Sequence, residues 1–186
     1  GDVKCLVFDE SDQMFDEGFY DDCAYLKERV GVNAQIILAS ATISEKVQMF
    51  MEEEITDYEL QIVGLQIPKK IVQELVFCTV AEKDDVLLGL FTKKRFNKAI
   101  VFCNSKLKSY GVAEFLARNG FRTRTLNSDF KQKERDNHLN MFRDKSKMIL
   151  VATDVAARGL HIENVNIIVN YDVPRREEFY IHRIGR

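Results

Sequence analysis

Apolar residues along this chain follow two rhythms. Short runs such as Cys5–Phe8, Gln35–Ala39, Ala99–Cys103, Met148–Ala152 and Val165–Tyr171 have strand length. A run that is apolar at nearly every position suits a strand covered on both faces of a parallel sheet. Thr123–Leu126 and Val72–Val80 complete the predicted strands. Between them the apolar spacing turns helical. Phe19–Val30 ends at Gly31, and the helix after Ser44 carries Val47, Phe50, Met51 and Ile55 on one stripe. Glu82–Lys94 turns Leu87, Leu90 and Phe91 inward, Ser105 opens a helix stopped by Gly120, and Lys131–Phe142 and a segment from about Arg175 follow. Thr153–Ile162 reads as a loop. Strands separated by helices of this length predict an α/β fold, with mostly parallel sheets and helices on both faces.

The mixed stretch Thr56–Lys70, with Gly64 and Pro68, predicts a linker between domains 1–62 and 63–186. Charge changes there too. The net charge of −2 conceals −11 over residues 1–64 and +9 over residues 65–186, an asymmetry that suggests a polyanion partner for the second half. No apolar run approaches the ~18 residues of a membrane span. Cys5, Cys23, Cys78 and Cys103 have no metal-type spacing and read as reduced, buried thiols of a cytoplasmic or nuclear protein. The chain opens without Met, reaches a strand within a few residues and stops inside a helix, which predicts a piece of a longer protein.

Candidate chemistry gathers where strands end. Cys5–Phe8 runs into Asp9, Glu10 and Asp12. Ligands of open α/β sheets sit beyond the carboxyl ends of the strands. Two carboxylates there can divide labour, one holding hydrated Mg²⁺ and the other taking a proton from an attacking water. Alone, they serve equally as solvated turn or helix-capping acids. In the second half Asn104-Ser105 and Thr153-Asp154 follow strands, and His182, Arg183 and Arg186 sit on the last helix. Hydroxyls, amides and cations along one sheet edge suit a phosphate backbone. Arginines there can offset charge on a transferring phosphoryl group.

Together these motifs resemble those of DEAD-box RNA helicases of superfamily 2, nearly end to end. Asp9-Glu10-Ser11-Asp12 resembles the motif that names the family, with Ser11 where Ala is usual. Ser40-Ala41-Thr42, Ile100–Asn104, Gln132 with Arg135, Thr153-Asp154 with Ala157-Arg158-Gly159, and His182–Arg186 match its later motifs in order. The resemblance implies two RecA-like lobes, the first incomplete and the second truncated, using ATP and Mg²⁺ to clamp RNA without sequence preference. It implies Asp9 on Mg²⁺ through water, Glu10 as base, and Asp12, Ser40, Thr42, His182 and Arg183 in inter-lobe coupling. Arg135, Thr153, Gly159 and Asn104 would contact RNA, and Arg186 the γ-phosphate. Ser40 and Thr42 also fit as helix caps and Arg135 as a solvated helix residue, while His138 reads as structural.

Four departures stand against the family pattern. No Gly-x-x-x-x-Gly-Lys-[Ser/Thr] phosphate loop occurs in the 186 residues, so that loop and the adenine-reading element are expected before residue 1. His161 stands where the family has an Asp against the ribose. Asn127-Ser128-Asp129 replaces His-Gly-Asp, and the second γ-phosphate arginine is expected after residue 186. The rival readings are a non-catalytic RNA-binding protein on a degenerate helicase scaffold, a nucleotide- or phosphoprotein-binding switch domain, and a DNA helicase of the same superfamily.

Overall fold

The computed structural model describes residues 3–55, 57–63, 71–157 and 162–184. They divide into two units, Gly1–Gln66 and Ile67–Arg186. The first holds β1 (Cys5–Phe8), α1 (Ser11–Asp16), α2 (Tyr20–Arg29), β2 (Gln35–Leu38) and α3 (Glu45–Glu54). β1 and β2 pair in parallel, with Cys5 opposite Gln35 and Phe8 opposite Leu38. Phe8, Phe15, Cys23, Val47, Phe50 and Met51 form the buried core. Phe50 is its centre, stacked on Phe15 at 4.8 Å between ring centroids and edge-on to Phe8 at 5.8 Å. Ser44 caps α3 by accepting the Val47 N–H at 3.4 Å.

The second unit holds α4 (Lys83–Lys93), β3 (Lys98–Phe102), α5 (Lys106–Arg118), β4 (Arg122–Leu126), α6 (Gln132–Asp144), β5 (Met148–Ala152), α7 (Asp154–Ala157), β6 (Val165–Asn170) and α8 (Glu177–Ile184). Its sheet runs β4-β5-β3-β6, with every pairing parallel. The central strands show why their sequences are apolar throughout. Ile100, Phe102, Met148, Leu150 and Ala152 face a layer with Leu139 and Phe142 of α6. Ala99, Val101, Ile149 and Val151 face the opposite layer, with Leu87, Phe91, Val112 and Leu116 of α4 and α5. Alternation is present in the backbone but hidden in the sequence, because both faces are covered. At the end of α5, Gly120 takes φ 86°, a left-handed turn that favours glycine.

Four expectations are corrected. Val72–Val80 is no strand: residues 71–79 are irregular and exposed, with Phe77 89% accessible. A run of apolar residues has the length of a strand, but a strand also needs a neighbour's ladder, and no described strand pairs with this one. Ser11–Asp16, where no helix is expected, is helical, and so is Asp154–Ala157 within the expected loop Thr153–Ile162. Both are too short to show a period. Finally, only Cys23 and Cys103 are buried, while Cys5 and Cys78 are exposed, Cys78 on the unpaired 71–79 stretch. Of the expected linker, 57–63 is irregular and exposed, and 56 and 64–70 lie outside the described residues.

Candidate functional site

The carboxylate cluster is built by a sharp exit from β1. Phe8 is anchored in the core, and two residues later Glu10 adopts a left-handed conformation, φ 51° and ψ 43°, as it opens α1. For a non-glycine residue this costs roughly 1–2 kcal/mol, which the surrounding contacts must offset. Those contacts are specific. Ser11 is fully buried, and both its N–H (3.0 Å) and its Oγ (3.2 Å) donate to the Ala39 carbonyl at the end of β2. The unusual Ser11 therefore brings its own partner for a buried hydroxyl.

Asp12 completes the stitching. It is 4% exposed; Oδ1 accepts the Gln13 N–H at 2.9 Å, and Oδ2 accepts the N–H and Oγ1 of Thr42 at 3.1 and 2.7 Å. Ser40 Oγ donates to the Thr42 carbonyl at 2.6 Å. Ser40 and Thr42 are thus not the caps of α3, a task that falls to Ser44. Asp9 is exposed and uses Oδ1 to accept the Glu10 N–H at 2.9 Å. The strand ends bring together all five predicted residues of this unit: Asp9, Glu10, Asp12, Ser40 and Thr42.

In the second unit the strand ends converge on one guanidinium. Arg183 is 2% exposed, and all five of its N–H donors are engaged. Nε and Nη2 bind the two oxygens of Asp154 at 2.5 and 2.8 Å. Nη1 reaches Asn170 Oδ1 at 2.9 Å and the Asp172 carbonyl at 2.8 Å, and Nη2 also reaches Asn104 Oδ1 at 2.9 Å. One side chain on α8 thereby ties the ends of β3, β5 and β6, with its cation 5.0 Å from the centre of the Phe102 ring. Every donor of this planar fork is held inside its own unit, so Arg183 braces the strand ends from within.

Asn104 belongs to the same cluster. Its Oδ1 serves Arg183, and its Nδ2 donates to the Val173 carbonyl at 2.9 Å, so the amide helps to organise the strand ends. The Asn104 N–H donates to Asp172 Oδ2 at 3.0 Å, and Lys83 and Lys108 reach Asp172 Oδ1 at 3.2 and 2.9 Å. Burial alone pushes the Asp172 carboxyl up. The Asn104 N–H and the two lysines outweigh it and hold the group below the usual carboxylate range. Beside it, burial and the Asp172 charge push the Cys103 thiol up to about 12, so Cys103 packs as a neutral thiol.

Thr153 is 8% exposed and fixed through its backbone, donating N–H to Leu126 and accepting from Ala156 N–H, both at 3.1 Å. Arg135 reaches across from α6 to the Ala156 carbonyl at 3.2 Å, while its buried Nε has no acceptor among the described residues. It is therefore no solvated helix residue. His182 is half-buried on α8. Gly159, His161 and Arg186 lie outside the described residues. Sequence reasoning missed Asp172 and Asn170, although both are polar residues at a strand end, the signal that found Asn104. Asn127 is fully buried; it donates to Ser109 Oγ at 3.2 Å and accepts the Asp129 N–H at 3.0 Å, so this departure from the family pattern is built into the core.

Two parallel α/β units, one presenting a carboxylate pair at its strand ends and the other an arginine-tied edge, define the class of RecA-like helicase lobes. The model of the DEAD/DEAH box helicase family matches residues 1–50, and that of the helicase conserved C-terminal domain residues 82–186. The ATP-dependent RNA helicase RhlB of Xanthomonas axonopodis pv. citri is 40% identical over 98% of this chain and 33% of its own length. DeaD of Haemophilus influenzae is 36% identical over the whole chain and 30% of its own length. Among solved structures, S. cerevisiae Dbp5 bound to RNA and ADP BeF3 superposes with a TM-score of 0.85 at 30% identity, covering 99% of this chain and 50% of that one. A DEAD box protein from Methanococcus jannaschii gives 0.61 at 30% identity, covering 99% and 50%. The chain belongs to the DEAD-box RNA helicase family. It spans about a third of the length of these curated relatives.

Proposed function

We propose that this chain is part of an ATP-dependent RNA helicase that couples ATP binding and hydrolysis to RNA clamping and local duplex opening. Residues 1–62 form the end of the first, ATP-hydrolysing lobe, and residues 63–186 form the second lobe. The observation that carries this reading is the Asp12–Thr42 pair. A buried carboxylate next to the hydrolytic acids holds the loop after β2 by two hydrogen bonds, a link through which nucleotide state is felt one strand away.

Glu10 takes the proton of the attacking water, its carboxylate aimed by the left-handed turn at the end of β1. Asp9 holds Mg²⁺ through water. An exposed carboxylate with one oxygen engaged suits an ion that keeps most of its hydration. When bound, Mg²⁺ neutralises charge on the phosphates. Arg135, whose buried Nε has no acceptor among the described residues, Thr153, Gly159 and Asn104 contact RNA. Arg186 is assigned to the γ-phosphate, and His161 takes the place of the family's ribose-contacting Asp. Asp12, Ser40, Thr42, His182 and Arg183 carry the coupling. We assign the protein to a reducing compartment, cytoplasm or nucleus, a reading supported by the lack of metal-type or disulfide-framework spacing among its four cysteines. No described helix is long and apolar enough to cross a membrane.

The test uses the full-length protein, with phosphate release and strand displacement measured side by side. Glu10→Gln lowers the turnover number by about 10²–10⁴ and leaves RNA binding in place. Thr42→Val keeps ATP turnover while strands displaced per ATP fall. Unchanged displacement per ATP in Thr42→Val would remove the coupling role. RNA, not DNA of the same sequence, stimulates the ATPase.

A further inference from the structure

The outer flank of the second unit carries a cleft that the proposed helicase chemistry does not use. It opens between α5, the edge strand β4 and α6, has a volume of about 370 Å³, and is walled by Tyr110, Phe130, His138 and Met141. The three rings form a continuous edge-on row, 6.2 Å from Tyr110 to Phe130 and 4.7 Å from Phe130 to His138. His138 Nδ1 lies 2.8 Å from the Thr125 carbonyl. A carbonyl only accepts, so Nδ1 carries the proton of this hydrogen bond.

Arg124 is the odd member of this wall. Half-buried on β4, it donates Nη1 to the Thr123 carbonyl at 2.9 Å and sets Nη2 3.6 Å from Met141 Sδ, a weak acceptor. No carboxylate among the described residues pairs with it, although exposed cations nearby find one, as Arg118 does with Glu114 at 2.5 Å. A partly desolvated guanidinium beside aromatic rings is a ready partner for a single anion next to an apolar group. A phosphate chain suits the cleft poorly. Arg124 is its one cation, while Asp129 contacts the Tyr110 hydroxyl at 3.5 Å and Asp136 adjoins Asn137 in the chain.

The geometry points to a docking site for an extended peptide of a partner protein, one that sets a carboxylate on Arg124 and an apolar side chain against the Tyr110–Phe130–His138–Met141 wall. Size agrees, because clefts of this order hold a small ligand or a few side chains. The site stands apart from the strand ends that carry the helicase motifs, so its test is independent of that reading.

The experiment is a selection of displayed random heptapeptides on the 186-residue chain, with affinities of synthesised winners measured by fluorescence anisotropy. Winners carry Asp or Glu within two residues of an aromatic or aliphatic side chain. Arg124→Gln weakens them about tenfold or more, the scale of a charged hydrogen bond. Asn137→Glu, at an exposed rim position that leaves the fold intact, weakens them comparably by repulsion. A ten-nucleotide uridine RNA neither competes with the peptides nor loses affinity in Arg124→Gln. Winners without an acid, no winners at all, indifference to both substitutions, or competition by the RNA would each overturn the proposal.

Discussion

Arg183 shows how much one residue decides when it is buried and charged. Its five donors meet five acceptors drawn from three strand ends, so removing it leaves the Asp154 carboxylate without its fork. Arg183→Leu is expected to cost the second unit about 3–5 kcal/mol, the usual penalty for breaking a buried ion pair from one side. Urea denaturation followed by circular dichroism measures it, and a loss under about 1 kcal/mol would show the hub to be dispensable. Arg183→Lys recovers little, since a point charge cannot reproduce a bidentate fork and three further bonds. Asn127 is a milder case. Asn127→Ala strands the buried Ser109 hydroxyl and releases the Tyr110 and Asp129 contacts, at about 1–3 kcal/mol by the same measurement.

Among the elements, the turn after β6 couples stability to acidity. The folded-state pKa of Asp172 is depressed, so its contribution is fully present above the unfolded value of about 3.9. That contribution is lost as pH falls through the lowered folded value. Asp172→Asn removes this dependence: wild type should lose second-unit stability on acidification below about pH 4 more steeply than the variant, by urea midpoints along a pH series. The element scale is also where sequence and structure part. β3 and β5 were legible because a two-faced strand repeats apolar residues without interruption, and α3 and α5 because Ser44 and Ser105 cap them as written. α1 was not, because six residues rich in acids carry no readable period and its start depends on Glu10 entering a conformation that a sequence does not announce. Residues 71–79 failed the other way, with apolar residues over the length of a strand and no described strand to pair with.

For the whole molecule, opposite charge on the two halves has a measurable consequence. RNA binding by the full-length protein should weaken steeply with salt, because the second half's net +9 displaces counterions from the phosphate backbone. The 186-residue chain by itself should release no phosphate above background, since it contains no phosphate loop. Turnover by this chain that vanished on Glu10→Gln would overturn that expectation.

The order of motifs, the two charged halves, the α/β alternation and the identities of Asp9, Glu10, Asp12, Ser40, Thr42, Arg135 and Thr153 are all local or additive properties, and the sequence by itself determined them. Which polar residues face a ligand and which face each other is not local. Asn104 and Arg183 lie 79 residues apart, yet bind each other because three parallel strands end on one edge. Only the tertiary structure could set these two side chains against each other, since hydrogen-bonding capacity belongs to the residue but its partner is chosen by the packing of the sheet.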